Sequence, residues 1–275
     1  MPSLLGCALI SILPQEPLTT LIINDGYNIN YFPPQISNLT ALTSLDLRLN
    51  QFTTIQSAIG SLPSLTSLNI KGNLISQLVP GVETLVNLKR LNVSYNRLTT
   101  LPWKMRLLTK LETLNLKRNR LSKVPMVIQS LSSLTSLNIS YCNLSSLPDW
   151  WDKLPHLEVL RLNDNNLKEL PPSIGHLTRL TKLILRDNQL SSLPLINATS
   201  LTFVDVRNNH FSSFPSSIDN LPMLTYLAID SNLINQTTDF RVFLRRWYLN
   251  ANMVTPKRWS FAEWINYHSR RKTER

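Results

Sequence analysis

One frame of residues returns along this chain at intervals close to 23, and it leaves little choice of architecture. The clearest copy runs through Leu88, Leu91, Val93, Asn96, Leu98, Leu101 and Pro102, and the next opens at Leu111. Ten copies open at Leu18, Leu42, Leu65, Leu88, Leu111, Leu134, Leu157, Leu180, Leu201 and Leu224. The intervals between them are 24, six of 23, then 21, then 23. A polar position inside the frame holds Asn50, Asn73, Asn96, Asn119, Cys142, Asn165, Asn188, Asn209 and Asn232. In the first copy an extra residue near Tyr27 and Asn28 blurs that position.

The spacing has a mechanical reading. Leu88, Leu91 and Val93 belong to a short strand whose pleat sends alternate residues to opposite faces. Leu91 and Val93 then point inward, while Arg90, Asn92 and Ser94 point out. Asn96 follows where the chain leaves the strand, and its amide both donates and accepts, so it satisfies turn backbone in its own and the adjacent coil. Leu98 and Leu101 return to the interior, and Pro102 starts the outer arc. A single coil recovers less from burying its few leucines than it loses in ordering its backbone, so only stacked coils are stable.

The outer arcs read L-P-x-x-I-x-x-L, as in Leu170 to Leu177, a length that suits one turn of α or 3-10 helix. Leu193 to Ser200 is two residues short, which predicts a flatter arc. The expected fold is an α/β solenoid. It is a right-handed horseshoe of about ten coils, with a parallel β-sheet on the concave side and short helices or 3-10 turns on the convex side. Three segments follow: an N-terminal cap over 1–17, the solenoid over 18–237, and an aromatic, basic C-terminal helical cap and tail over 238–275. In the last segment Thr238 or Asp239 caps a helix carrying Phe240, Phe243, Leu244 and Trp247, and Ser260 to Glu263 forms a capping box for a second. The opening segment has no basic stretch or small-residue cleavage site of a signal peptide; Leu4 to Cys7 imitates a lipobox but has too few residues before it.

The 23-residue period and the L-P-x-x-I-x-x-L arc resemble the cytosolic leucine-rich repeat proteins of the Ras-suppressor and Ras-pathway scaffold group. The resemblance covers roughly residues 18 to 237. It implies a curved parallel sheet, no catalysis, and binding of other proteins on the concave face, with a small GTPase-pathway protein among the candidate partners. The shortened arc after Leu193 and the basic, aromatic tail depart from that pattern.

Outward strand residues form columns across the sheet. One column runs through Asn69, Asn92, Asn115, Asn138 and Arg161, and another through Arg48, Lys71, Ser94, Lys117, Ser140, Asn163, Arg186 and Arg207. Tyr95, Arg118 and Tyr141 stand just beyond. Arg90, Asn92, Tyr95, Asn115, Lys117, Arg118, Asn138, Tyr141 and Arg161 are therefore the expected partner-binding set, matched to an acidic protein segment, because Tyr and Arg are enriched at interface hot spots. Trp103, Met126 and Trp150 follow the prolines of three consecutive arcs and predict a second, apolar patch on one edge.

Composition excludes more than it proposes. The net charge is +11, yet from Phe240 onward nine Lys and Arg face two Glu, so the excess sits in the tail. That tail offers peripheral contact with an acidic protein or membrane surface; nucleic acid is disfavoured because no base-reading motif accompanies it. Two cysteines, Cys7 and Cys142, argue against a disulfide framework and favour a cytoplasmic, reducing setting. No apolar run is long enough to span a membrane. The four histidines are scattered, and no metal, phosphate-loop or nucleophile motif is present, so the expectation is no enzyme, no metal and no cofactor. Six N-x-[ST] triplets, including Asn38, Asn92 and Asn197, keep a secreted or cell-surface recognition domain open as the alternative, beside a structural subunit of a larger assembly.

Overall fold

A computed structural model describes residues 17–24, 29–31, 34–55, 57–78, 81–218 and 221–229. The expected caps at 1–17 and 238–275 lie outside them, apart from Pro17.

Each copy of the frame supplies one three-residue strand. These are β1 (Thr20–Ile22), β2 (Ser44–Asp46), β3 (Ser67–Asn69), β4 (Arg90–Asn92), β5 (Thr113–Asn115), β6 (Ser136–Asn138), β7 (Val159–Arg161), β8 (Lys182–Ile184), β9 (Phe203–Asp205) and β10 (Tyr226–Ala228). All ten pair in chain order as one parallel sheet. The register follows the repeat without slip, including Leu68 opposite Leu91, Leu91 opposite Leu114 and Leu183 opposite Val204. A one-residue slip would carry these leucines to water, which is why the register is so firmly set.

Opposite the sheet stand 3-10 turns such as Trp103–Leu107, Met126–Ser130 and Pro172–His176, each preceded by the proline of its arc. A turn is wider than the ~4.8 Å between strands, so the stack bends toward its sheet, which becomes the concave wall. The solenoid fold is thus the one that the repeat implies. The short arc after Leu193 forms no 3-10 turn and lies flat on the previous coil, with the Asn197 N–H donating to the Gly175 carbonyl. A Cβ on Gly175 would come within 2.0 Å of the Leu195 carbonyl oxygen, so only glycine admits this approach.

The core is one continuous column of apolar side chains running coil to coil. Leu88, Leu91, Val93, Leu98 and Leu101 are all buried, as are most of their equivalents, while Leu18, Leu21, Leu147, Leu193 and Leu227 are partly buried against the same column. Asparagine links the coils electrically. The Asn119 amide donates to the carbonyls of Val93 and Leu116 and accepts from the Leu98 N–H; Asn96 and Asn188 repeat the arrangement. A buried turn backbone that no strand could pair is satisfied this way.

Cys142 interrupts this ladder. Its thiol reaches the Leu116 carbonyl at 3.3 Å but offers no amide oxygen to the preceding coil. There the backbone compensates: Ser122 takes a positive φ of 52° and donates its N–H to the Cys142 carbonyl. Burial pushes the Cys142 thiol up to about 11, which keeps it protonated and unreactive.

Two outcomes follow from the ladder. Cys142→Asn restores the missing acceptor and should raise stability by about 0.5–1.5 kcal/mol, whereas Asn119→Ala should cost at least about 2 kcal/mol, both read by denaturant titration. The raised thiol pKa favours the folded state at ordinary pH and loses that contribution as pH climbs from 9 toward about 11. The wild type should therefore lose more stability than Cys142→Asn over that window, and its thiol should resist alkylation at neutral pH until denatured.

Candidate protein-interaction face

The concave wall is built from strand residues facing away from the core. Across β4, β5 and β6 the second outward column is Asn92, Asn115 and Asn138, in register and half-buried. Each side chain bends back on its own strand end. Asn92 Oδ1 accepts from the Ser94 N–H and hydroxyl, Asn115 Oδ1 from the Lys117 N–H, and Asn138 Oδ1 from the Ser140 N–H and hydroxyl. The amide oxygens are thereby consumed, and the amide N–H groups are what remains to offer a partner. A row of donors suits a ligand rich in acceptors.

These turns bury Ser94 and Ser140, and Asn163 is also buried, so the next column is exposed only in part. Lys71, Lys117, Arg186 and Arg207 remain half-exposed in it.

The residue before each ladder position has positive φ: Leu49, Gly72, Tyr95, Arg118, Tyr141, Asp164, Asp187 and Asn208, between 54° and 68°. The turn requires it, because that residue's N–H must reach the next coil; Tyr95 donates to the Lys117 carbonyl and Arg118 to that of Ser140. Glycine, Asp and Asn adopt this backbone cheaply, whereas Tyr and Arg pay for a Cβ there. Sequence periodicity places these residues in one column but does not reveal its backbone conformation.

From it Tyr95 and Tyr141 clasp the cations between them. Lys117 Nζ lies 5.7 Å from the Tyr95 ring centre and 5.1 Å from that of Tyr141. The Arg118 guanidinium lies 5.2 Å and 4.6 Å from the same rings, and Lys71 approaches Tyr95 from the other side at 5.2 Å. The structure thus brings together Tyr95, Lys117, Arg118 and Tyr141, with Asn92, Asn115 and Asn138 on the adjoining strands. Arg90 stands exposed on β4, and Arg161 continues the asparagine column on β7. None of Lys71, Arg90, Lys117, Arg118 and Arg161 is ion-paired among the described residues. Burial without a counter-charge holds the Arg161 guanidinium below its ordinary range. Arg207 shows the contrast: hydrogen bonds from Nε and a terminal nitrogen to Asp205, at 2.9 and 2.6 Å, raise its pKa.

The second patch is smaller than expected. Trp103 and Met126 are 62% and 58% exposed and open successive 3-10 turns, with the Arg106 guanidinium 4.3 Å from the Trp103 ring centre. Trp150 does not join them. In its arc Trp151 fills the core slot held by Met105 and Ile128 elsewhere, and Trp150 is buried against it, ring centres 5.1 Å apart.

A further group escaped the sequence reading. Lys182, Phe203 and Tyr226 occupy the first outward column of β8, β9 and β10, in register. Phe203 and Tyr226 stack with centres 4.2 Å apart, and Lys182 Nζ lies 4.3 Å from the Phe203 ring centre. Writing out that column, Arg90, Thr113, Ser136, Val159, Lys182, Phe203, Tyr226, would have exposed it.

No cluster of three metal-ligating side chains occurs among the described residues, and no described helix is long and apolar enough to cross a membrane.

Family models described as leucine rich repeat match residues 16–75, 86–144, 132–190 and 200–221. No curated protein matches. Solved structures do. A leucine-rich repeat protein of Leptospira interrogans is 31% identical, with a TM-score of 0.67, over 71% of this chain and 52% of that one. The plant peptide hormone receptor RGFR1 in complex with RGF2 is 30% identical (TM-score 0.61), over 72% of this chain and 33% of the receptor chain. YopM from Yersinia enterocolitica is 27% identical (TM-score 0.62), over 78% and 42%. The chain spans about half the length of the first of these and less of the other two.

If the tyrosines serve a partner rather than the fold, replacing both with a residue suited to positive φ should cost little. Tyr95→Asn with Tyr141→Asn exchanges backbone strain of ~1 kcal/mol per site for lost cation–π contacts of similar size. Denaturant midpoints should stay within about 1 kcal/mol of wild type. A loss of several kcal/mol would make the rings structural.

Proposed function

This chain belongs to the leucine-rich repeat family, and from that premise we propose that its concave face binds an extended acidic segment of another protein across β3 to β7. Leucine-rich repeat solenoids are typical protein-interaction modules. The observation that carries the reading is the set of unpaired cations, Lys71, Arg90, Lys117, Arg118 and Arg161, gathered beside three amide donors. A folded protein gains nothing from like charges left uncompensated, so their use lies in a counter-charge that arrives with a partner. The tyrosines hold Lys117 and Arg118 in place and so lower the entropy lost on binding.

The proposed role is a non-catalytic scaffold or adaptor. Its setting is the cytosol, in keeping with the resemblance to the Ras-suppressor and Ras-pathway scaffold group, and a small GTPase-pathway protein is one candidate partner. The solenoid is taken as 18–237 with a cap on each side, and the basic tail as a peripheral contact for an acidic surface. Trp103 and Met126 form a secondary contact on the convex edge.

A second reading, a secreted or cell-surface recognition domain, draws support from the plant receptor complex among the similar structures. Asn38 and Asn197 are exposed, and glycans mapped there on the protein from its native source would favour it; bare asparagines would favour the cytosol.

Lys117→Glu with Arg118→Glu should weaken binding of an acidic peptide at least about tenfold at moderate salt, with an unchanged melting temperature. Raising salt should weaken the wild-type interaction in the same direction. Equal affinity of the two proteins would remove this face from consideration.

A further inference from the structure

Next to the central cations the concave floor is lined by short side chains. Thr113, Ser136 and Val159 fill the first outward column of β5 to β7, beside Asn115 and Asn138. At the far end the floor is closed by Lys182, Phe203 and Tyr226. Register sets Lys182 on one side of the Phe203 ring and Tyr226 on the other, with Phe203 and Tyr226 interplanar by only 2°. The ring faces turned toward each other are therefore occupied, and the Phe203 ring presents its edges to the concavity. Ring edges carry partial positive charge and favour the face of another aromatic ring.

We propose that Phe203 and Tyr226 form a second anchor on this face, selecting an acidic segment that carries an aromatic side chain at a fixed distance from its carboxylates. The proposal rests on the acidic-segment reading and deepens it. The two anchors, Lys117 with Arg118 after β5 and Phe203 on β9, are four strands apart in the sheet. At ~4.8 Å per strand this is ~19 Å, which an extended chain at ~3.3 Å per residue crosses in about six residues. Thr113, Ser136 and Val159 let that chain lie close to the amide N–H groups of Asn115 and Asn138, while Arg161 on β7 and Lys182 on β8 flank its path. Two-point recognition also gives the bound segment a direction, acidic end toward β5 and aromatic end toward β9.

A single-stranded nucleic acid also seeks stacked aromatics and cations. It fits less well here, because Tyr95 and Tyr141 already spend their rings on Lys71, Lys117 and Arg118 rather than leaving them to bases.

The test uses the full chain and labelled synthetic peptides with an acidic block, a Gly-Ser spacer of about six residues and either Trp or Ser at the far end. Fluorescence anisotropy should show the Trp peptide binding about two- to tenfold tighter than the Ser peptide. Phe203→Ala should erase that difference while leaving the Ser peptide's affinity unchanged, and doubling the spacer should erase it too. Tyr226→Ala, with its own melting curve, serves as the second variant if Phe203→Ala unfolds. Equal binding of the two peptides by the wild type overturns the second anchor and leaves the acidic reading standing. Failure of both peptides to bind at low salt removes the acidic reading, and the anchor with it. Tighter binding of an oligo-thymidine strand than of either peptide overturns both in favour of nucleic acid.

Discussion

Everything in this molecule depends on buried backbone that no strand can pair. Each coil must turn sharply after three strand residues, and that turn would leave carbonyls and N–H groups orphaned inside an apolar stack. A single asparagine per coil resolves this by donating to its own turn and to the coil before it, and accepting from that same neighbour. Hydrophobic burial supplies the larger energy, but it is non-directional. The amide ladder is what makes one stacking register better than its alternatives. The Cys142 coil shows the rule through its exception: without the amide oxygen, Ser122 moves into a strained backbone to find another acceptor.

The same turn creates the surface that faces a partner. Because the ladder residue must point inward, the residue before it is forced to positive φ, and its side chain is set on the rim of the concave wall. Four coils fill that position with Gly, Asp or Asn, whose backbone tolerates it. Leu49, Tyr95, Arg118 and Tyr141 are the expensive choices, and the last three occupy consecutive coils at the middle of the arc. Strain concentrated where cations also gather links the folding constraint to recognition. The middle of the wall is thus basic and unpaired, while toward β9 Arg207 and Arg186 are matched within the chain by Asp205 and Asp187.

Much of this was legible in the residues alone. Strand positions, register and the ladder follow from a period repeated ten times, since a motif that must fit its own copy has little freedom. The central clasp of Tyr95, Lys117, Arg118 and Tyr141 was legible for the same reason: equivalent positions stack. Positive φ at tyrosine was not, because Gly72, Asp164, Asp187 and Asn208 at the equivalent position hint at it while Tyr, Arg and Leu disfavour it. Trp150 was misplaced because two adjacent tryptophans compete for one core slot, and spacing does not say which wins. Burial of Ser94 and Ser140 was also hidden, since it arises from side-chain hydrogen bonds to Asn92 and Asn138 rather than from polarity. The stacked Phe203 and Tyr226 have no counterpart earlier in their column, where Arg90, Thr113, Ser136, Val159 and Lys182 stand, so repetition does not announce them.

The central claim is that coils hold each other up through the ladder and leave the concave wall free for binding. Hydrogen exchange on wild type and Asn119→Ala tests it most directly. The account predicts that the Leu98 amide, bonded to Asn119 across the coil boundary, loses protection together with amides in both adjoining coils. Faster exchange confined to the turn at residue 119, with Leu98 as protected as before, would contradict it.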